Sequence, residues 1–400
     1  MSAPLRVATA LAAVALLAAC EGLGLPVVGP LPEPIGNPGE MTCSEISACD
    51  RYLPEEPELW SPPSDPLAAA GCPELVRYAL RGDAALDPNA ILEALLVPPR
   101  SGEGPLELRC VELSIEVPDT ARSFEFDLRS VTLEGVHVEI VSEARGRVLL
   151  GTEGTISQAD FSIHGPIEMI AERAVLWGAR VSLEPGRHTP AGSLLANETQ
   201  FVRLNMGGEG TFAMRRSALR GAQVRASVFR SELSSWANVF VSAATVEVFE
   251  ADVFQAHVES GHFIAAAGAI RYSEFFECGE IILAAVNVSQ TRIADTEVPV
   301  LLSASMILNS YVQADLRGSA RIVQCALLSD SIDLEGGTVA NSALCGVDEL
   351  AIAAGDAVCV RCDAGAPADL CVSVHREALC PGFESATCSR GPRPEINRGI

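Results

Sequence analysis

Short runs in which every second residue is apolar recur along the chain from about residue 107 onwards. Written in one register, they form nine-residue segments in which positions 2, 5, 7 and 9 are almost always apolar or small. The segments start at residues 107, 132, 155, 175, 198, 218, 240, 262, 280, 300, 319 and 336. Alternation at positions 5, 7 and 9 is typical of a strand with one buried face. A repeat of about 20 residues cannot bury its own apolar side, so the pattern predicts stacked coils.

The repeats resemble those of right-handed parallel β-helix proteins of the pectin-lyase-like type, over residues 105–345. The likeness lies in the pattern and not in a sequence motif. It implies an all-β fold, a parallel β-helix (β-solenoid) of about 12 coils, one for each segment. An irregular β-sandwich is the alternative interpretation.

Both ends of such a solenoid expose unpaired strand edges, which need a cover. Residues 67–104 contain two helix signals, Pro73 before ELVRYALR and Asp87-Pro88 before NAILEALLV, and these predict a small helical N-terminal cap. The cysteine-rich residues 346–389 are expected to form a disulfide-rich C-terminal cap. Residues 390–400 are expected to be a disordered tail.

The first residues indicate export. A single arginine precedes the apolar run Val7–Ala19, which is too short to span a bilayer of about 30 Å. The ending Leu17-Ala18-Ala19-Cys20 resembles the lipobox of bacterial lipoproteins. This resemblance implies a signal peptide over residues 1–19, acyl chains such as palmitate on Cys20, and a lipid anchor in the cell envelope, with Glu21 indicating the outer membrane. An ordinary signal peptide is the alternative. The proline-rich residues 20–66 are predicted to be a tether.

Charge and composition narrow the partners. The net charge is −24 and the 28 basic residues are all arginine, so nucleic acid is excluded as a partner and lysine-based catalysis is impossible. Aromatic residues make up only 5% of the chain, which is few for platforms that stack sugars. A membrane contact through Cys20 and a protein or glycan partner remain.

Thirteen cysteines in an exported chain predict disulfides. The C-x-x-C pair Cys359 and Cys362 also fits a zinc knuckle or a redox site, although no second pair follows it. Cys325 falls on an inward position and is expected to be a buried free thiol, too far along the solenoid from Cys278 to pair with it. The disulfide candidates are Cys43, Cys49, Cys72, Cys110, Cys345, Cys359, Cys362, Cys371, Cys380 and Cys388.

Motifs for catalysis, metals and cofactors are missing from the sequence, so no catalytic residue, metal site or cofactor is predicted. His137 and Asp160 share position 6 of adjacent segments and are expected to stack as a solvated pair. His257 and His262 are expected on opposite faces. Trp177 and Trp236 are expected to pack. The interpretation is a membrane-anchored, non-enzymatic scaffold or binding lipoprotein; a divergent polysaccharide-processing β-helix enzyme is the alternative.

One trend points to an interface. Outward positions 3, 6 and 8 are polar in the early segments but apolar or small in the later ones. A solvent-exposed face of a sheet is expected to remain polar. Either the cysteine-rich segment folds over this stretch, or a partner or second copy docks there. The residues concerned are Ile264, Ala267, Ala269, Ile282, Ala285, Leu302 and Ile307.

Overall fold

The computed structural model describes residues 65–95, 106–151, 154–294, 296, 298–335, 337–345, 349–352 and 357–362. Within them the chain is an all-β parallel β-solenoid of about 11 turns, which confirms the predicted fold class. It divides into two compact units, one ending at Glu247 and one starting at Val248, called here the N-terminal and the C-terminal unit. No helix in the described part of the chain is long and apolar enough to cross a membrane.

The N-terminal unit begins with a cap and continues as parallel strands. The cap comprises helix α1 (Pro66–Ala69), strand β1 (Val76–Arg81), a 3-10 turn (Gly82–Leu86) and helix α2 (Pro88–Leu95). The strands are β2 Leu106–Arg109, β3 Val111–Glu116, β4 Ser123–Asp127, β5 Val131–Glu134, β6 His137–Val141, β7 Arg145–Leu150, β8 Ile156–Ser157, β9 Asp160–His164, β10 Ile167–Glu172, β11 Val175–Trp177, β12 Arg180–Glu184, β13 Ser193–Asn197, β14 Gln200–Val202, β15 Asn205–Gly208, β16 Thr211–Arg215 and β17 Ala218–Glu232.

Each coil of this unit contributes one strand to each of three faces. We name each face after an outward residue: the Trp177 face (β2, β5, β8, β11, β14 and the start of β17), the His137 face (β1, β3, β6, β9, β12, β15 and the middle of β17) and the Arg147 face (β4, β7, β10, β13, β16 and the end of β17). Alternate residues point inward and stack in the core. Phe201, Phe212, Phe229 and Trp236 form one such stack, with successive ring centroids 4.9–5.4 Å apart.

Strands of the C-terminal unit repeat the same arrangement. They are β18 Ser235–Arg271 (which starts in the N-terminal unit), β19 Glu274–Phe276, β20 Glu280–Ala284, β21 Asn287–Ser289, β22 Arg292–Ala294, β23 Val300–Leu308, β24 Tyr311–Gln313, β25 Leu316–Val323, β26 Ala326–Leu328, β27 Ser331–Leu334, β28 Thr338–Cys345, β29 Glu349–Ile352 and β30 Ala357–Cys362. Its three faces are named the Ala269 face (β18, β21, β23, β25, β28, β30), the Glu274 face (β18, β19, β22, β24, β26, β28, β30) and the Ile282 face (β18, β20, β23, β25, β27, β29).

The N-terminal cap is only partly helical. Helix α2 is confirmed, but the helix predicted after Pro73 is wrong, because Val76–Arg81 is a strand that pairs along its whole length with β3. The disulfide between Cys72 and Cys110 holds the start of β1 against this edge. Backbone hydrogen bonds to an otherwise open edge outweigh the weak helix preference of the segment. In α2, the Asn89 side chain donates a hydrogen bond to the Glu125 carbonyl and accepts one from the Asp127 N–H, so it satisfies backbone groups at the edge of β4.

Candidate functional site

A strip of aliphatic side chains runs along the outside of the Arg147 face. Leu149, Ile170, Leu195 and Ala213 occupy the same outward position on four successive strands and are half-buried. At about 4.8 Å per strand the strip is about 14 Å long. Its two ends are charged, because Asp127 pairs beside Leu149 and Arg230 beside Ala213.

Charged and polar rows flank the strip on both sides. One row is Glu125, Arg147, Glu168, Ser193 and Thr211. The other row is Glu172, Asn197, Arg215 and Glu232. Arg147 and Arg215 bridge to the carboxylates next in their rows, Glu168 and Glu232, at 3.4 and 3.2 Å. The face therefore has an apolar centre and a polar rim.

A groove of about 980 Å³ follows the first of these rows along the start of five strands. The 3-10 turn and α2 overhang one end through Leu86, Asp87 and Asn89, and Ala191 and Gly192 form part of the wall. Its lining includes three carboxylates and two guanidiniums, from Asp87, Glu125, Glu168, Arg145 and Arg147. On the other side of the strip a shallower pocket of about 320 Å³ exposes Ile170, Leu195 and Ala213.

Carboxylates in the groove are not arranged as a metal site or a glycosidase pair. Among the described residues no group of three His, Cys, Asp or Glu side chains converges on a point that could hold a metal. Glu125 and Glu168 flank Arg147 on the two neighbouring strands, which sets them about 10 Å apart. The guanidinium of Arg147 lies between them, where a glycosidic oxygen and a water would have to fit. The arrangement suits recognition better than hydrolysis.

The expected His137–Asp160 pair is present on the His137 face. The two residues are in register, with His137 Nδ1 3.4 Å from an Asp160 oxygen and Arg180 3.7 Å from the same oxygen. The Asp160 carboxylate raises the pKa of His137. Charge pairing along the row explains this contact without a catalytic role. The side chains of His137 and Asp160 are only 25% and 16% exposed, so the pair is less solvated than expected.

The C-terminal unit contains a buried row of charges that was not predicted. On the outer side of the Glu274 face, Glu274 lies between His257 and Arg292, with oxygen–nitrogen distances of 2.9 and 2.8 Å. His257 Nε2 also lies 3.4 Å from Glu259, and the Arg292 guanidinium is 5.7 Å from the Tyr311 ring centre. Spacings of 17 and 18 residues, one coil each, are the signal in the sequence that could have aligned these three.

Burial and pairing act against each other on these groups. Burial disfavours the charged form of His257, but its bonds to Glu259 and Glu274 outweigh this and raise the pKa. Burial likewise opposes ionisation of Glu274, but His257 and Arg292 hold the pKa of Glu274 below its usual value. The row is therefore an ion network in which each charged form depends on its neighbours.

Residues of the predicted interface do not share one face. Ile264 and Ile282 are paired and point outward on the Ile282 face, whereas Ala269 points outward on the Ala269 face. Ala267 and Ala285 occupy corners between these faces, with φ of 57° and 54°.

The outward orientation expected for Leu302 and Ile307 is wrong, because both are core residues. Ile282 pairs with Leu301, so the segment assigned to 300–308 is shifted by one residue, which inverts every side chain. Trp236 packs in the core as expected, but the expectation for Trp177 is wrong, since its side chain points outward and is 55% exposed.

Cysteine predictions are resolved in part. Cys72 and Cys110 form a disulfide, and Cys325 is a buried free thiol as expected, like Cys278. Burial raises the pKa of both thiols to about 12. Cys345, Cys359 and Cys362 lie in strands whose side chains are outside the description. Cys20, Cys43, Cys49, Cys371, Cys380 and Cys388 lie outside the described residues.

Comparison with known proteins provides no relative. No family model matches the chain, and neither a curated protein nor a solved structure matches it.

Proposed function

We propose that the chain is a lipid-anchored binding scaffold of the bacterial envelope, tethered through Cys20, whose Arg147 face docks a protein partner. The observation that supports this is the outward strip of Leu149, Ile170, Leu195 and Ala213 between two charged rows. An apolar centre within a polar rim is the usual anatomy of a protein–protein interface.

The residue types on this face favour a protein over a glycan. None of the described outward side chains of strands β4, β7, β10, β13 and β16 is aromatic, whereas sugar-binding surfaces use aromatic rings. Both signs of charge alternate along the rows, so the face does not attract a polyanion. Aliphatic side chains framed by paired charges instead fit a partner with an apolar ridge and charges of complementary order.

The test replaces Leu195 by a photo-crosslinking amino acid in the full-length lipoprotein, expressed in its native host. We expect one discrete protein adduct that disappears when Ile170→Arg is added, because a buried charge in an interface centre costs about 2 kcal/mol or more, about thirtyfold in affinity. The matched control is the same residue at Val202, which is also aliphatic, outward and half-buried, but lies on the Trp177 face. Equal adducts at both positions, or none at Leu195, would refute the proposal.

The three carboxylates that line the groove allow a direct test of the alternative, a polysaccharide-processing enzyme, although Arg147 lies between Glu125 and Glu168. In that case Glu125→Gln and Glu168→Gln would abolish glycan cleavage by the purified protein. If the groove only binds, glycan mixtures stay uncut by the unaltered chain, and the two substitutions change only the strength of partner binding.

A further inference from the structure

Several outward-facing residues of the Glu274 face are buried, which is unusual for the outer side of a sheet. Ala294 and Ala326 have no exposed surface and Tyr311 is 3% exposed, although their neighbours Ile293, Val312 and Leu327 are the residues that point into the core. The charged residues of the same outward row, His257, Glu274 and Arg292, are also buried.

This burial is most extensive on the Glu274 face; on the other two faces of the C-terminal unit the only buried outward residues described are the small Ala266 and Ala284, both on the Ile282 face. On the other two faces outward residues such as His262, Asn287, Ser303 and Arg321 are exposed. Neighbours in the same sheet can shield a small outward alanine, but they lie beside a large side chain such as Tyr311 or Arg292 and do not cover its outer side, because paired strands are about 4.8 Å apart. The Glu274 face is therefore covered from outside the sheet.

We infer that the C-terminal residues 363–400 of this chain pack over the Glu274 face. The chain leaves the described residues at Cys362, and its last strand β30 belongs to this same face, with Arg361 beside Ala343. Three strand spacings, about 14 Å, separate Arg361 from Tyr311, and six spacings, about 29 Å, separate it from His257. The 38 residues from 363 to 400 can extend over about 120 Å, so they reach the whole face.

The composition of this segment matches the face. Leu370, Val372 and Val374 alternate with Cys371 and Ser373, a sequence pattern that offers one apolar side to Phe276 and Ala294. Arg376 and Arg390 supply cations for a face that carries Glu259 and Glu274. The buried ion row then fixes the position of this segment along the Glu274 face. This packing is independent of the proposed function of the Arg147 face.

The experiment places a photo-crosslinking residue at Gln313 or Leu328, two half-buried outward positions of the Glu274 face, in the full-length chain. Peptide mapping is expected to find intramolecular crosslinks to residues 363–400 from both positions. Matched probes at Asn287 and Ser303, exposed on the other two faces, should give none to that segment. Crosslinks from Gln313 and Leu328 to residues 21–64, to a second copy of the chain or to nothing would overturn the inference.

A second measurement uses Ala326→Arg in the full-length chain, with Ser303→Arg as the control. The new charge should expel the segment, so trypsin should cleave after Arg376 and Arg390 at least tenfold faster, while the control keeps the original rate. An unchanged rate in a folded Ala326→Arg protein would overturn the inference. If that variant fails to fold, the crosslinks decide.

Discussion

Replacing Glu274 by glutamine tests the buried ion row directly. The carboxylate lies 2.9 Å from His257 and 2.8 Å from Arg292, and the three side chains are only 7–9% exposed. Glutamine keeps the shape but removes the charge that offsets two buried cations. Removing one partner of a buried ion pair costs about 3–5 kcal/mol, so we expect Glu274→Gln to lower the free energy of unfolding by this amount.

Glu280→Gln provides the matched control. Glu280 also faces a histidine on the neighbouring strand, His262, at 3.1 Å, but the two side chains are 37% and 59% exposed. An exposed pair contributes about 0–1 kcal/mol because water and salt screen it. The two substitutions therefore change the same residue type in the same unit and differ in burial.

The assay is urea unfolding of both variants and the unaltered chain at several pH values. Glu274 has a lowered pKa, so its contribution is present above its ordinary pKa of 4.5 and is lost as the pH falls through the folded-state value. His257 has a raised pKa, so its contribution is present below its ordinary pKa of 6.5 and is lost as the pH rises through the folded-state value. The loss in Glu274→Gln should therefore be largest between these two pH values. A loss no larger than that of Glu280→Gln, at any pH, would refute this account of the row.

Three further predictions concern cysteines. The double change Cys72→Ser and Cys110→Ser removes a disulfide that spans 38 residues, so it should lower the free energy of unfolding by about 2–4 kcal/mol in urea titrations. The buried thiols Cys278 and Cys325 should stay unlabelled by iodoacetamide in the folded protein, because burial raises their pKa. Rapid labelling would contradict their burial. Cys20→Ser should leave the precursor uncleaved and without acyl groups by mass spectrometry, whereas normal maturation of that variant would contradict the anchor.

The fold class could be predicted because strand alternation and a stacking repeat are both written in local sequence. The first four segments, at 107, 132, 155 and 175, pair in the predicted register. From the fifth segment onwards the predicted register is wrong. The first error is two residues, because Val175 pairs with Gln200 and not with Glu198. Coils of this solenoid vary in length at their corners, and a corner residue such as Gln158 or Arg203 adopts a positive φ without a glycine to signal it. An error of one residue at a corner exchanges inside and outside, as it did for Leu302.

The two surfaces that support the proposals were hidden for a related reason. In the run Val148-Leu149-Leu150 all three residues are apolar, so the sequence alone does not show that Leu149 points outward while its neighbours fill the core. Only the pairing of Leu149 with Ile170, and of Ile170 with Leu195, turns three separate apolar runs into one exposed strip. The buried ion row shows the reverse, because His257 and Arg292 are charged residues that look solvated until their burial is known. In a solenoid the functional signal is a residue whose polarity disagrees with the direction in which it points, and direction is known only once the register of the coils is known.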